Sequence, residues 1–84
     1  MKKDNLESPP ELIELDVKGL VCPMPLLKAK RALNGMSVGQ LLQVWATDPG
    51  SERDFEVFAR QSGHSLLQSE VQDGVFRYVM QKQR

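Results

Sequence analysis

The stretch ELIELDVKGLVCPMPLLKAKRALNG, residues 11–35, changes its period halfway. In its first seven residues Ile13, Leu15 and Val17 alternate with Leu12, Glu14 and Asp16. Alternation at period two is the pattern of a β-strand with one better-buried face. After the loop Lys18–Val21 and a Cys-Pro-Met-Pro unit, the apolar residues Leu26, Ala29, Leu33 and Met36 fall three and four apart. That spacing predicts a helix with one apolar stripe, with Lys28, Lys30 and Arg31 off it. Asn34-Gly35 reads as its stop, with Gly35 free to take the left-handed conformation.

The pattern then repeats with a different ending. LLQVWA, residues 41–46, reads as a strand buried on both faces. DPGSERD signals a second helix start, with two candidate registers. Either Asp48 caps with Pro49 in the first turn, or Ser51 caps with Asp54 three residues on. Phe55, Phe58 and Ala59 make its inward stripe, and Gly63 ends it. SLLQSEV and VFRYVMQK are strands joined by Asp73-Gly74, a strong hairpin signal. Phe76, Tyr78 and Met80 alternate with Val75, Arg77 and Val79, so one set faces the wetter side. Trp45 and the phenylalanines are expected in the core. The order is β-α-β-α-β-β. Crossover helices require some parallel pairing, and right-handed connections place both on the same side of the sheet. The predicted fold is an α/β (α+β) two-layer sandwich, with a four-stranded mixed sheet and two helices on one face.

Composition narrows the function classes. The chain has 84 residues, enough for one small domain. Residues 1–10, MKKDNLESPP, read as a disordered polar tail, and residues 11–84 as the domain. No apolar run nears the roughly 20 residues of a membrane span, and no signal peptide is evident, so a cytoplasmic protein is expected. Eleven basic and eleven acidic side chains cancel, which argues against direct nucleic-acid binding by charge alone. One cysteine, Cys22, and one histidine, His64, fall short of a structural zinc site, so no metal is expected.

Cys22 is the candidate reactive residue. Pro23 and Pro25 suit a helix start, where their missing N–H groups cost nothing, and they stiffen the backbone before them. A thiol beside a helix N-terminus has its pKa lowered from about 8.5 towards about 7. Cys22 is therefore expected to be accessible and unusually acidic, with helix N–H groups stabilising its anion. Free cysteine is commonly a small buried hydrophobe. Cys22 departs from that pattern because it lies in a turn rather than on an apolar stripe. A disulfide oxidoreductase would need a second cysteine. A thiol hydrolase would need a nearby base, and the fold places His64 at the opposite end, near the last helix carbonyls. What remains is a thiol that accepts a group and hands it on.

On these residues the chain resembles the TusA/SirA-like sulfur-carrier proteins. The resemblance rests on Asp16, Gly19, Cys22, Pro23 and Pro25, and downstream on Asp48, Pro49, Asp54, Gly63 and His64, and it covers residues 12–82. It implies a sulfur carrier or sulfurtransferase that holds sulfur as a persulfide on Cys22. A cysteine desulfurase would load it and a downstream acceptor protein would unload it, with tRNA thiolation as the best-known destination. Molybdenum-cofactor assembly, sulfur oxidation and selenium metabolism are the other branches, and Met24 occupies a variable position. No cofactor and no direct membrane contact are expected, and the protein is expected to be a monomer. Asp16 and Gly19 are read as shaping the loop under Cys22, Lys28 and Arg31 as meeting the partner, and Asp48 and Asp54 as caps or turn formers. The alternatives are a non-catalytic RNA- or protein-binding module, or a selenium- or redox-related member of the same family.

Overall fold

A computed structural model describes residues 12–84; the expected tail lies outside the described residues. The elements are β1 (Leu12–Val17), α1 (Met24–Asn34), β2 (Leu41–Ala46), α2 (Ser51–Ser62), β3 (Ser65–Gln72) and β4 (Val75–Gln81). They form one mixed sheet in the order β1-β2-β4-β3. β1 and β2 pair in parallel, and β4 runs antiparallel to both its neighbours. The β3–β4 hairpin turns on Asp73 and Gly74, both at positive φ (54° and 80°), the backbone that an Asp-Gly pair tolerates well.

The core lies between the sheet and the helices. Val17 from β1, Leu42, Val44 and Ala46 from β2, and Tyr78 and Met80 from β4 are buried against Ala29 and Leu33 of α1 and Phe55 of α2. Each fully buried large aliphatic side chain contributes on the order of 1.5–3 kcal/mol. β2 is not buried on both faces. It alternates, with Gln43 and Trp45 on the side away from the helices. Trp45 is therefore no core residue: its indole Nε1–H donates to Glu14 Oε1 at 3.0 Å.

That second face carries a belt of side-chain hydrogen bonds across all four strands. Gln43 Nε2 donates to Glu14, Arg77 Nη1 donates to Gln43 Oε1 at 2.7 Å, and Arg77 Nη2 reaches Gln68 and Glu70. Val75, Arg77 and Val79 are thus the set on the open side, while Phe76, Tyr78 and Met80 face the helices. The register shift at Leu67 leaves that residue exposed on the edge strand β3, a usual place for a bulge.

The helix ends depart from simple reading. Gly35 stops α1 at φ −91°, not in the left-handed region. Lys82 from beyond β4 closes that end instead, its Nζ donating to the carbonyls of Leu33 (2.6 Å) and Asn34 (3.5 Å). A cation on the last carbonyls also suits the negative end of the helix dipole. Gly63 does take the left-handed form, φ 85°, and its N–H bonds the Ala59 carbonyl. At the start of α2 no side chain caps the helix, so neither candidate register is used as expected. The Ser51 hydroxyl shares a 2.7 Å hydrogen bond with the Tyr78 hydroxyl inside the core. Tyr78 also stacks on Phe55, with ring centroids 4.6 Å apart.

Removing the Tyr78 hydroxyl leaves the buried Ser51 hydroxyl without its partner, which typically costs about 1–3 kcal/mol. Tyr78→Phe should lower the urea midpoint with little change in the slope of the transition, whereas Ser51→Ala with Tyr78→Phe should recover part of the loss. Equal midpoints for Tyr78→Phe and the wild type would show that the bond carries no stability.

Candidate functional site: a cysteine shared between two helix starts

Both helices begin at the same end of the sheet, beside the C-terminal ends of β1 and β2. The loop after β1 is fixed at two points. Asp16 Oδ1 accepts the Lys18 backbone N–H at 2.9 Å and its ammonium at 3.0 Å, and the backbone bond is the main reason its carboxyl is held below the usual range. Gly19, at φ 86°, donates its N–H to the Thr47 hydroxyl at 2.9 Å, which ties this loop to the one after β2. A side chain at that φ is strained even though the space beside Gly19 is open.

Cys22 is exposed at the end of this loop, and Pro23 is the first flanking residue of α1. Pro25 is fully buried, so its ring packs as well as fixing the turn, and replacing it affects more than pre-organisation. The prolines have a second effect. Neither has an N–H, and the Met24 N–H is taken by the Val21 carbonyl at 2.9 Å. The turn that stiffens the helix start also reduces the donors it offers an anion.

The neighbour that does reach the sulfur is acidic. Cys22 Sγ–H donates to Asp54 Oδ2 of α2 at 3.1 Å. This hydrogen bond is the first cause of a thiol pKa raised above its ordinary value; desolvation and the charges of Asp54 and Asp48 add to it. The expectation of an unusually acidic cysteine is therefore overturned. A carboxylate in direct contact outweighs a helix start with few free amides. Asp54 is thus not a capping residue. Asp48 is a turn former through its carbonyl, which accepts the Ser51 N–H at 3.0 Å, while its Oδ2 is buried with no hydrogen-bond partner among the described residues.

Two surfaces flank Cys22. Along the outer side of α1 the exposed apolar residues Met24 and Leu27 border Lys28 and Arg31 in a shallow hollow, and Val21 is exposed in the preceding loop. On the other side, between the helices, a groove of about 300 Å³ is lined by Leu26, Lys30, Arg53, Asp54, Val57 and Phe58, among others. His64 belongs to the far end. Its Nδ1 accepts the Gln83 N–H at 3.0 Å and its ring packs near Phe58. Burial first, then Lys82 and Arg84, lower its pKa, so it is a neutral acceptor rather than a cation on the helix carbonyls. Among the described residues no cluster of three or more His, Cys, Asp or Glu side chains is arranged to hold a metal. No helix among them is long and apolar enough to cross a membrane.

Alkylation of the folded protein, followed against pH, should give a Cys22 midpoint above the ordinary thiol value of about 8.5. A midpoint near 7 would restore the helix start as the dominant influence.

The family described as Sulfurtransferase TusA matches residues 13–82. The sulfur carrier protein TusA of Allochromatium vinosum is 52% identical over 69 residues, covering 82% of this chain and 91% of that protein. The crystal structure of a SirA-like protein from Desulfitobacterium hafniense superposes with a TM-score of 0.74 at 26% identity, covering 86% of this chain and 99% of that one. The family match spans the strand, the Cys-Pro-Met-Pro turn and both helix starts, and with it the chain belongs to the TusA family.

Proposed function

We propose that this protein is a sulfur carrier that holds sulfane sulfur as a persulfide on Cys22, taking it from a cysteine desulfurase and passing it to an acceptor protein on the way to tRNA thiolation. The observation that carries the reading is an exposed cysteine on a stiff Cys-Pro-Met-Pro turn, in a chain whose relatives are named sulfur carriers. No second cysteine and no histidine base stands beside it. A carrier needs neither a resolving thiol nor a histidine base of its own.

The transfer conserves atoms and redox state. Sγ of Cys22 attacks the outer sulfur of the donor's R–S–SH, the new S–S bond forms, and the donor's S–S bond breaks. The Cys22 proton ends on the leaving sulfur, which gives Cys22–S–SH and R–SH. Unloading repeats the exchange with an acceptor thiol attacking the outer sulfur. Sγ stays in place throughout, so accessibility and orientation matter more than a built pocket. The exposed Val21, Met24 and Leu27 offer an apolar contact beside the thiol. Lys28 and Arg31 form the charged rim that steers an acidic partner.

Incubating the protein with a desulfurase and cysteine should add the mass of one sulfur atom to the intact chain, removable by a thiol reductant. Cys22→Ser should show no added sulfur yet still bind the desulfurase. An unloaded wild type, or sulfur on the Cys22→Ser variant, would overturn the reading. In cells lacking this gene, thiolated wobble uridine should fall, and Cys22→Ser should not restore it.

Lys28→Glu combined with Arg31→Glu should slow association with the donor by on the order of tenfold at low salt, with the difference shrinking as salt screens it. Cys22 should keep its reactivity towards small alkylating reagents. Stopped-flow association rates check this, and unchanged rates at low salt would show that the rim is only a solvated surface.

A further inference from the structure

The contact between Cys22 and Asp54 has a role in transfer that the carrier reading alone does not assign. We propose that Asp54 is a catalytic residue of the relay: its carboxylate holds the unloaded Cys22 as a hydrogen-bonded thiol aimed at α2, and it receives the thiol proton when sulfur is loaded. This inference rests on the persulfide reading of Cys22 given above.

The geometry supports both halves. Asp54 Oδ2 lies 3.1 Å from Sγ, within reach for direct proton transfer. The two residues belong to different elements, so the contact is set by tertiary packing and not by local sequence. Asp54 is three residues beyond Ser51, whose hydroxyl is anchored to Tyr78 in the core, so its helical turn is fixed from beneath. Neither a cap nor an ion pair competes for the carboxylate. α2 takes no side-chain cap, and the ion pairs among the described residues are Lys18–Asp16 and Arg77–Glu70. The other charged groups around the pair are Asp48 from the turn after β2, Arg53 beside Asp54, and Lys30 of α1 across the groove. Of these Asp48 acts in the same direction as Asp54 on the sulfur, favouring the protonated thiol.

The balance during loading is simple. The Sγ–H bond breaks and its proton passes to Asp54 as Sγ bonds to the outer sulfur of the donor's R–S–SH. The donor's sulfur–sulfur bond breaks, and the proton held by Asp54 goes to the leaving R–S⁻. No oxidant or reductant is consumed. In the resting carrier the same hydrogen bond keeps the exposed sulfur a thiol, the form that reacts slowly with small electrophiles and oxidants. Exposure and low spontaneous reactivity are thereby combined in one residue.

The test uses the full chain with Asp54→Asn, Asp54→Ala and Asp54→Glu, and two readouts. In the Asn and Ala variants the pH midpoint of iodoacetamide alkylation should fall towards the ordinary thiol value, and the rate near neutral pH should rise about threefold, because the gain in thiolate outweighs its lower nucleophilicity. Sulfur loading from a desulfurase should move the opposite way and fall by about tenfold. Asp54→Glu, which keeps a carboxylate one carbon longer, should retain the raised midpoint and recover part of the loading. An unchanged alkylation profile in both Asn and Ala variants would overturn the proposal, and so would loading that rises together with alkylation. Thermal melting identifies any variant that fails to fold, and the Glu variant then carries the test through its midpoint and loading. If the wild type takes no sulfur, the carrier reading fails, while the alkylation profiles still decide whether Asp54 governs the thiol.

Discussion

The short hydrogen bond between Ser51 and Tyr78 is the constraint on which the rest of this small fold depends. Tyr78 sits in the middle of β4, stacked on Phe55 and near Phe76, with its hydroxyl inside the core. A buried hydroxyl is costly unless paired, and the partner here is the first residue of α2. The start of that helix is thereby fixed against the sheet by a polar bond as well as by apolar packing. One turn of helix then carries the position outwards from Ser51 to Asp54, and from Asp54 to the sulfur of Cys22. Core and site are joined by three contacts in series, and the middle one is the helix itself.

The loop that presents Cys22 is governed by a different balance. Prolines on both sides of Met24 make the turn rigid, and Pro25 doubles as a packing residue. The same prolines remove two of the amides that make helix starts attractive to anions. Stiffness here comes at the expense of donors. The electrostatics of the thiol then pass to the other helix, whose first turn is acidic at Glu52 and Asp54. Its sign is the reverse of what a helix start alone would supply.

The order of elements was legible because it rests on local signals: period two in β1, a stripe at three and four in α1, and Asp-Gly at the hairpin. The exposed turn that carries Cys22 was legible for a similar reason, since two prolines mark it. Asp54 was not. Its partner is 32 residues away, and an acidic residue three beyond a serine is also the ordinary signature of a capping box. The two readings differ only in where the side chains point, and that is decided by Tyr78 claiming the Ser51 hydroxyl. Trp45 was misplaced by its size, since large aromatics are usually core. The correcting signal was present in Gln43, two residues before it on the same face of β2. The Lys82 closure of α1 had no sequence signal at all, because it comes from the opposite end of the chain.

The belt from Glu14 through Gln43 and Arg77 to Glu70 gives the molecule a built-in optical reporter. Trp45 is the single tryptophan of the chain, and its indole N–H is held by Glu14 on the face of the sheet away from the helices. Its fluorescence therefore reports on the integrity of the sheet and on anything that covers that open face. Partners that meet the molecule along α1 leave the indole's hydrogen bond untouched and are silent in this channel. A quenching or blue shift on adding a macromolecule thus identifies which side of the sandwich it has met, with no label attached to the sulfur.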